Sequence, residues 1–377
     1  MRIACARYAP RIEDVQLPHA DFDFGSRTWL TCGCRDRPRS STGPRLDAEF
    51  GEGLRIGCFE SQKGDSGSLV TQTSNGQEWI RGKTCMITGA TSGLGRASAI
   101  ELGKMGARLV LVCRNRERGG ELVREIQRNG NRDAELMVAD LESQDQIRKL
   151  AGDFLATDQP LHVLLNNAGV FHLKRTVTRD GIESVFAVNH LAYFLLTMLL
   201  LDRIKQSAPA RIVNVSSDLH KRASIKFDDL GGERSYGGMS SYAQSKLGNV
   251  LFTYELARRL EGTGVTVNCV HPGGVATNLA NSNGALAKAA WQVIGLFLKG
   301  PENGAQTQVY LAASPAVEGV TGQYFIDCRV VRSSEESHNA EVARKLWEVS
   351  ARMTGLPQAH AEPTITAVGG SLRKSSE

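Results

Sequence analysis

From Trp79 onward, short apolar runs alternate with longer stretches of mixed apolar and polar residues. Cys85-Met86-Ile87 centres a strand expected over about 84–88. Arg108 to Cys113 is apolar after its first residue, as a strand covered on both faces should be. Further strands are expected at Glu135–Ala139, Leu161–Leu165, Arg211–Val215, Val265–Val270 and Gln323–Asp327. The segments between them predict helices over about 94–105, 116–130, 144–156, 180–206 and 240–262. Strands alternating with helices of this length predict an α/β fold, a parallel sheet with helices on both faces. Residues 1–75 differ: they sustain no period, are rich in Arg, Gly, Ser and Asp, and carry Pro10, Pro18, Pro38 and Pro44. They are expected to form a disordered or loosely structured extension. Residues 76–356 then form one domain, and 357–377, polar and small, a flexible tail.

Thr88-Gly-Ala-Thr-Ser-Gly-Leu-Gly95 lies where the first strand turns into the first helix. Glycines there let the backbone approach a pyrophosphate, and the helix start presents free N–H groups and a positive dipole end. Gly89, Ser92, Gly93, Leu94 and Gly95 are therefore candidate cofactor contacts. A crevice at the carboxyl ends of the strands would also take in Asp140, Leu141, Asn167, Ala168 and Gly169. Tyr242 and Lys246 stand four apart at the start of a predicted helix, hence on one face. A neighbouring ammonium favours a phenolate, so Lys246 is expected to lower the Tyr242 pKa. Ser216 and Ser217 end the fifth strand, where a hydroxyl can hold a substrate carbonyl. Asn189 sits in an apolar helix, where an amide needs specific partners.

Together, and in this order, the glycine loop, Asp140, Asn166-Asn-Ala-Gly169, Asn189, Ser217, Tyr242-x-x-x-Lys246, and Pro272-Gly273 with Val275 and Thr277 resemble the short-chain dehydrogenase/reductase family over about residues 80–355. The resemblance implies a single catalytic domain with a Rossmann-type doubly wound parallel sheet. It implies Tyr242 as proton donor or acceptor, Ser217 as carbonyl polariser, Lys246 as ribose ligand and modulator of the phenol, and Asn189 as anchor of a relay water. Pro272, Gly273, Val275 and Thr277 join the cofactor set, together with Tyr242 and Lys246. Phe186-Ala-Val-Asn-His-Leu191, the long Ser217–Tyr242 interval, Tyr324-Phe325 and Ala343-Arg-Lys-Leu-Trp347 resemble the retinol dehydrogenase-like branch, which includes the oxidoreductase part of the WW-domain oxidoreductase.

Arg114 and Asn115 follow the second strand, with no acid to hold a ribose 2′-hydroxyl. An Arg there accommodates a 2′-phosphate, so NADP(H) is favoured and NAD(H) is the alternative. Apolar residues between Pro272 and Pro301, among them Leu279, Leu286, Trp291, Ile294 and Phe297, would suit a hydrophobic aldehyde, ketone or alcohol. The resemblance also implies a homo-oligomer pairing through the helices of Asn189 and Tyr242. A net charge of +5 with no dense basic run gives no case for nucleic acid. Eight scattered cysteines, with Cys32-Gly-Cys34 lacking a second pair, imply no metal site and a reducing, cytoplasmic setting. No membrane span is expected, because no run reaches roughly 18 apolar residues. The alternative function is a cofactor-binding regulatory or scaffold protein with little turnover.

Overall fold

The computed structural model describes residues 78–273 and 301–357. The expected extension at 1–75, the tail from 358, the apolar segment after Gly273, Val275 and Thr277 lie outside these residues.

Eight strands form one sheet, in the order β3-β2-β1-β4-β5-β6-β7-β8. They are β1 Thr84–Thr88, β2 Arg108–Cys113, β3 Ala134–Val138, β4 Val163–Asn166, β5 Ala210–Val215, β6 Val265–His271, β7 Tyr324–Ile326 and β8 Arg329–Val330. The first seven run parallel; only the β7–β8 pair is antiparallel. The order reverses at β1, with β2 on one side and β4 on the other. That switch point opens a crevice at the carboxyl ends of the strands. Two residues of positive φ, Asp327 and Cys328, turn β7 into β8, the tight hairpin geometry that permits so short an edge strand.

The helices are α1 Gly93–Lys104, α2 Arg116–Arg128, α3 Gln144–Leu155, α4 Ser184–Gln206, α5 Gly238–Arg259, α6 Pro301–Ala313 and α7 Ala340–Met353. Alternate strand residues feed two cores. Cys85, Ile87, Leu109, Leu111 and Val163 pack with Leu102, Leu122, Ile126 and Leu311 of α1, α2 and α6. Met86, Val110, Leu164 and Ile212 pack on the other face with Leu150, Phe154, Leu195, Phe252 and Leu256 of α3, α4 and α5. The doubly wound sheet read from the apolar runs is thus the fold observed. None of α6, α7 and β8 was expected from the pattern.

By length and composition α4 could cross a membrane, which corrects the expectation that nothing in the chain reaches that threshold. Its most apolar window is 94% buried in the domain, so its apolarity serves the core. The helix is not regular: a π-helical turn, Ala187–Leu191, joins the α-helical pieces Ser184–Phe186 and Ala192–Gln206. Across the outside of α4 and α5 lies α7. Trp347, 3% exposed, meets Phe194 edge-on at 5.0 Å, Phe252 at 5.8 Å, and stacks under the Arg259 guanidinium at 4.2 Å. The two helices through which the resemblance implies pairing are thereby covered by a helix of the same chain.

Candidate active site

The glycine loop owes its shape to contacts that tolerate no side chain. Gly89 has φ +68°, and a Cβ there would stand 2.8 Å from the Ala168 Cα. A Cβ on Gly95 would come to 2.4 Å from both the Asn167 Nδ2 and the Gly89 carbonyl oxygen. The ends of β1 and β4 are tied by Thr88, whose hydroxyl accepts from the Asn167 N–H at 2.9 Å and the Ala168 N–H at 3.1 Å. Asn167 Nδ2 donates to the Thr88 carbonyl at 2.8 Å. At the start of α1, Ser92 makes no side-chain cap and no acid occupies the first turn. The first N–H groups of that helix are therefore available to an anion.

A cavity of about 790 Å³ opens in front of this loop. Every described candidate lines it except Gly95, which packs against Asn167, and Asn189, which sits behind the wall. Its nucleotide end carries Arg114, Asn115 and Arg118. Neither arginine has an ion pair among the described residues. Asn115 is spent as the cap of α2, its side chain accepting from the Arg118 N–H at 2.9 Å. The glycine cradle, the uncapped helix start and the two cations at one end fit a dinucleotide carrying phosphates.

At the other end Tyr242 and Lys246 face the cavity from α5, and Ser217 from the end of β5. Phe171 meets the Tyr242 ring edge-on at 5.8 Å. Burial pushes the Tyr242 phenol up to about 12, opposed by a hydrogen bond with Ser217. Burial is thus the largest influence on this phenol, and no lowering by Lys246 accompanies it. The Lys246 ammonium does not bond the phenol; its Nζ donates to the Val215 carbonyl at 3.0 Å. Burial in turn lowers Lys246 to about 8. Asn189 is fully buried and bridges Val170, accepting from its N–H at 2.8 Å and donating to its carbonyl at 3.0 Å. It also donates to the Ser245 hydroxyl at 3.0 Å, beside Lys246.

The family profile of the short chain dehydrogenases matches residues 83–287. The chain belongs to that family. Retinol dehydrogenase 14 of Mus musculus is 48% identical over 291 residues, 74% of this chain and 87% of that protein. Retinol dehydrogenase 11 of Homo sapiens is 44% identical over 279 residues, again 74% and 87%. A solved protein from Beutenbergia cavernae, with NADP bound at low occupancy, is 28% identical with a TM-score of 0.53, covering 66% of this chain and 96% of its own. As a member of the short-chain dehydrogenase family, similar to retinol dehydrogenases, the protein is an oxidoreductase of alcohol and carbonyl groups.

Three contributors to this short-chain dehydrogenase site escaped the sequence reading. Tyr193 donates its hydroxyl to the Ala168 carbonyl at 2.8 Å, fixing the loop after β4; a tyrosine in so apolar a helix needs such a partner, which was the available signal. Gln308 links Asn167 to Ser98 across α6 and α1, and nothing in its sequence neighbourhood announces it. Arg118 lies in the first turn of α2, which starts two residues after Arg114 at the end of β2, and both line the same cavity.

Proposed function

We propose that this protein is an NADP(H)-dependent oxidoreductase of hydrophobic carbonyls and alcohols, of retinoid-like or lipid-derived kind. The observation that carries the reading is one cavity with Tyr242, Ser217 and Lys246 at one end and, at the other, two arginines that form no ion pair among the described residues. When bound, the nicotinamide supplies or accepts the hydride at the substrate carbon. Ser217 donates to the substrate oxygen and draws charge onto it. Tyr242, its phenol held protonated by burial, hands its hydroxyl proton to that oxygen in reduction and accepts it in oxidation. Lys246 brings a positive charge to this wall, 5.5 Å from the Tyr242 ring, which stabilises the phenolate left behind. Asn189, held at Val170 and Ser245, orders the polar path behind Lys246 that returns the proton.

Arg114 and Arg118 support NADP over NAD, since an added phosphate needs cations and a 2′-hydroxyl needs an acid. NADP in the Beutenbergia cavernae structure agrees with this. Phe171, Leu219 and Met239 line the cavity near Tyr242. Met239, 54% exposed, carries this apolar lining to the surface. An apolar wall around one polar reaction centre suits a long hydrophobic substrate, in keeping with the names of the relatives. Cys85, Cys113, Cys269 and Cys328 are free thiols, which supports a reducing compartment and the cytoplasm as location. Any homo-oligomer would use a face other than the one α7 covers.

The test is nicotinamide oxidation with NADPH and NADH in parallel, against retinal and long-chain aldehydes. NADPH turnover is expected, lost by about 10²–10⁴-fold in Tyr242→Phe with NADPH binding retained. Tight NADPH binding without turnover on any of these would favour the regulatory reading. Turnover preferring NADH would refute the role given to the two arginines.

A further inference from the structure

Between α7 and the site runs a buried polar bridge that the reaction as described does not use. His190 follows Asn189 inside the π turn and is 1% exposed. Its Nε2 lies 2.9 Å from the hydroxyl of Ser350, a fully buried residue of α7. On its other side the ring faces α5. A Cβ on Gly248 would sit 2.9 Å from Nδ1, so only glycine lets the ring lie this close. Asn249 is the side chain facing the ring from α5, and His190 Nδ1 and Asn249 Oδ1 are both buried without a hydrogen-bond partner. A small turn of the ring would satisfy both, with Nδ1–H donating to Asn249 Oδ1 while Nε2 accepts the Ser350 hydroxyl proton. Asn249 Nδ2 donates to the Val215 carbonyl at 3.1 Å, the oxygen that also receives the Lys246 ammonium.

We infer that Ser350 and His190 are positioning residues of this enzyme, through which the C-terminal helix sets the placement of Asn189 and Lys246. The inference rests on the roles proposed above for those two groups. A buried neutral ring is required, and burial indeed pulls His190 down to about 4. Phe186 at 5.1 Å and Phe252 at 6.3 Å hold the ring laterally. With Ser350 gone, Nε2 loses its donor, the ring is free to change tautomer, and the π turn carrying Asn189 loses its outer anchor. The Val170 N–H, which Asn189 holds at 2.8 Å, then exchanges faster.

The experiment compares full-length Ser350→Ala with Ala351→Gly, which loosens the same helix without touching His190. Steady-state kinetics with NADPH and retinal, hydrogen exchange of the peptide containing Val170, and thermal midpoints are measured on both. Ser350→Ala is expected to lower kcat about tenfold with KM for NADPH unchanged, and to speed Val170 exchange. Ala351→Gly is expected to lower the midpoint and leave kcat and Val170 exchange as they are. An unchanged kcat or Val170 exchange in Ser350→Ala, or equal losses of kcat in both variants, overturns the inference. Ser350→Cys keeps the volume while nearly removing the donor. It decides the matter by the same criteria if the alanine variant does not fold. Wild-type protein with no turnover would instead count against the proposed function, and Val170 exchange would still judge the bridge.

Discussion

Replacing Lys246 by methionine should separate what the ammonium does for the reaction from what it costs the fold. Burial lowers its pKa from 10.5 to about 8. A shift of about 2.5 units corresponds to about 3 kcal/mol paid by the folded state for carrying the charged form. The sign follows from proton counting. Between about 8 and 10.5 the unfolded chain binds the proton and the folded one has released it, so stability rises with pH across that window. Below about 8 the penalty is complete. Against it stands the hydrogen bond to the Val215 carbonyl, worth about 1 kcal/mol net; that oxygen keeps Asn249 as donor in the variant. Lys246→Met should therefore be about 2 kcal/mol more stable than wild type at pH 7. The difference should shrink by about 2–3 kcal/mol by pH 10. Urea unfolding of both proteins across that range measures it, without cofactor present. The same variant should lose turnover. A variant less stable than wild type at pH 7, with a difference that stays flat to pH 10, would refute the reasoning.

Two further outcomes follow from packing. Gly95→Ala drives a methyl group into Asn167 and the Gly89 carbonyl; NADPH affinity, read by fluorescence titration, should fall at least about tenfold while the sheet folds. Trp347→Ala removes the aromatic wedge between Phe194, Phe252 and Arg259 and should cost about 3–5 kcal/mol in urea unfolding.

The central strands β1, β2, β4 and β5 were legible because their apolar runs are buried on both faces. β1 and β2 begin and end at the residues the pattern marks. The helix of Asn189 was placed from about 180, yet it starts at Ser184, because the Glu183 carboxylate accepts from the Val185 and Phe186 N–H groups and so ends the preceding loop. α6 was missed since Asn303-Gly304-Ala305-Gln306 shows little apolar period, although Gln308 is fully buried there. Within the site, the four-residue spacing put Tyr242 and Lys246 on one face. It could not say where the ammonium would end, because the Val215 carbonyl comes from a strand distant in sequence. The π turn left no trace, since a helix apolar on every side has no polar stripe to slip out of register.

That turn has a consequence for how the protein can change. A π turn holds one residue more than the α path it interrupts. Upstream, Val185 and Phe186 are buried, and downstream so are Phe194 and Leu195. Between those buried stretches the helix loses step once. Asn189 is the side chain that the lost step turns toward Val170. Deleting a single residue there would restore a plain helix, with its buried ends still apolar, and would swing the amide away from the loop. Fold and chemistry are thus written in two different counts along one helix, and the second can be erased while the first stays nearly readable.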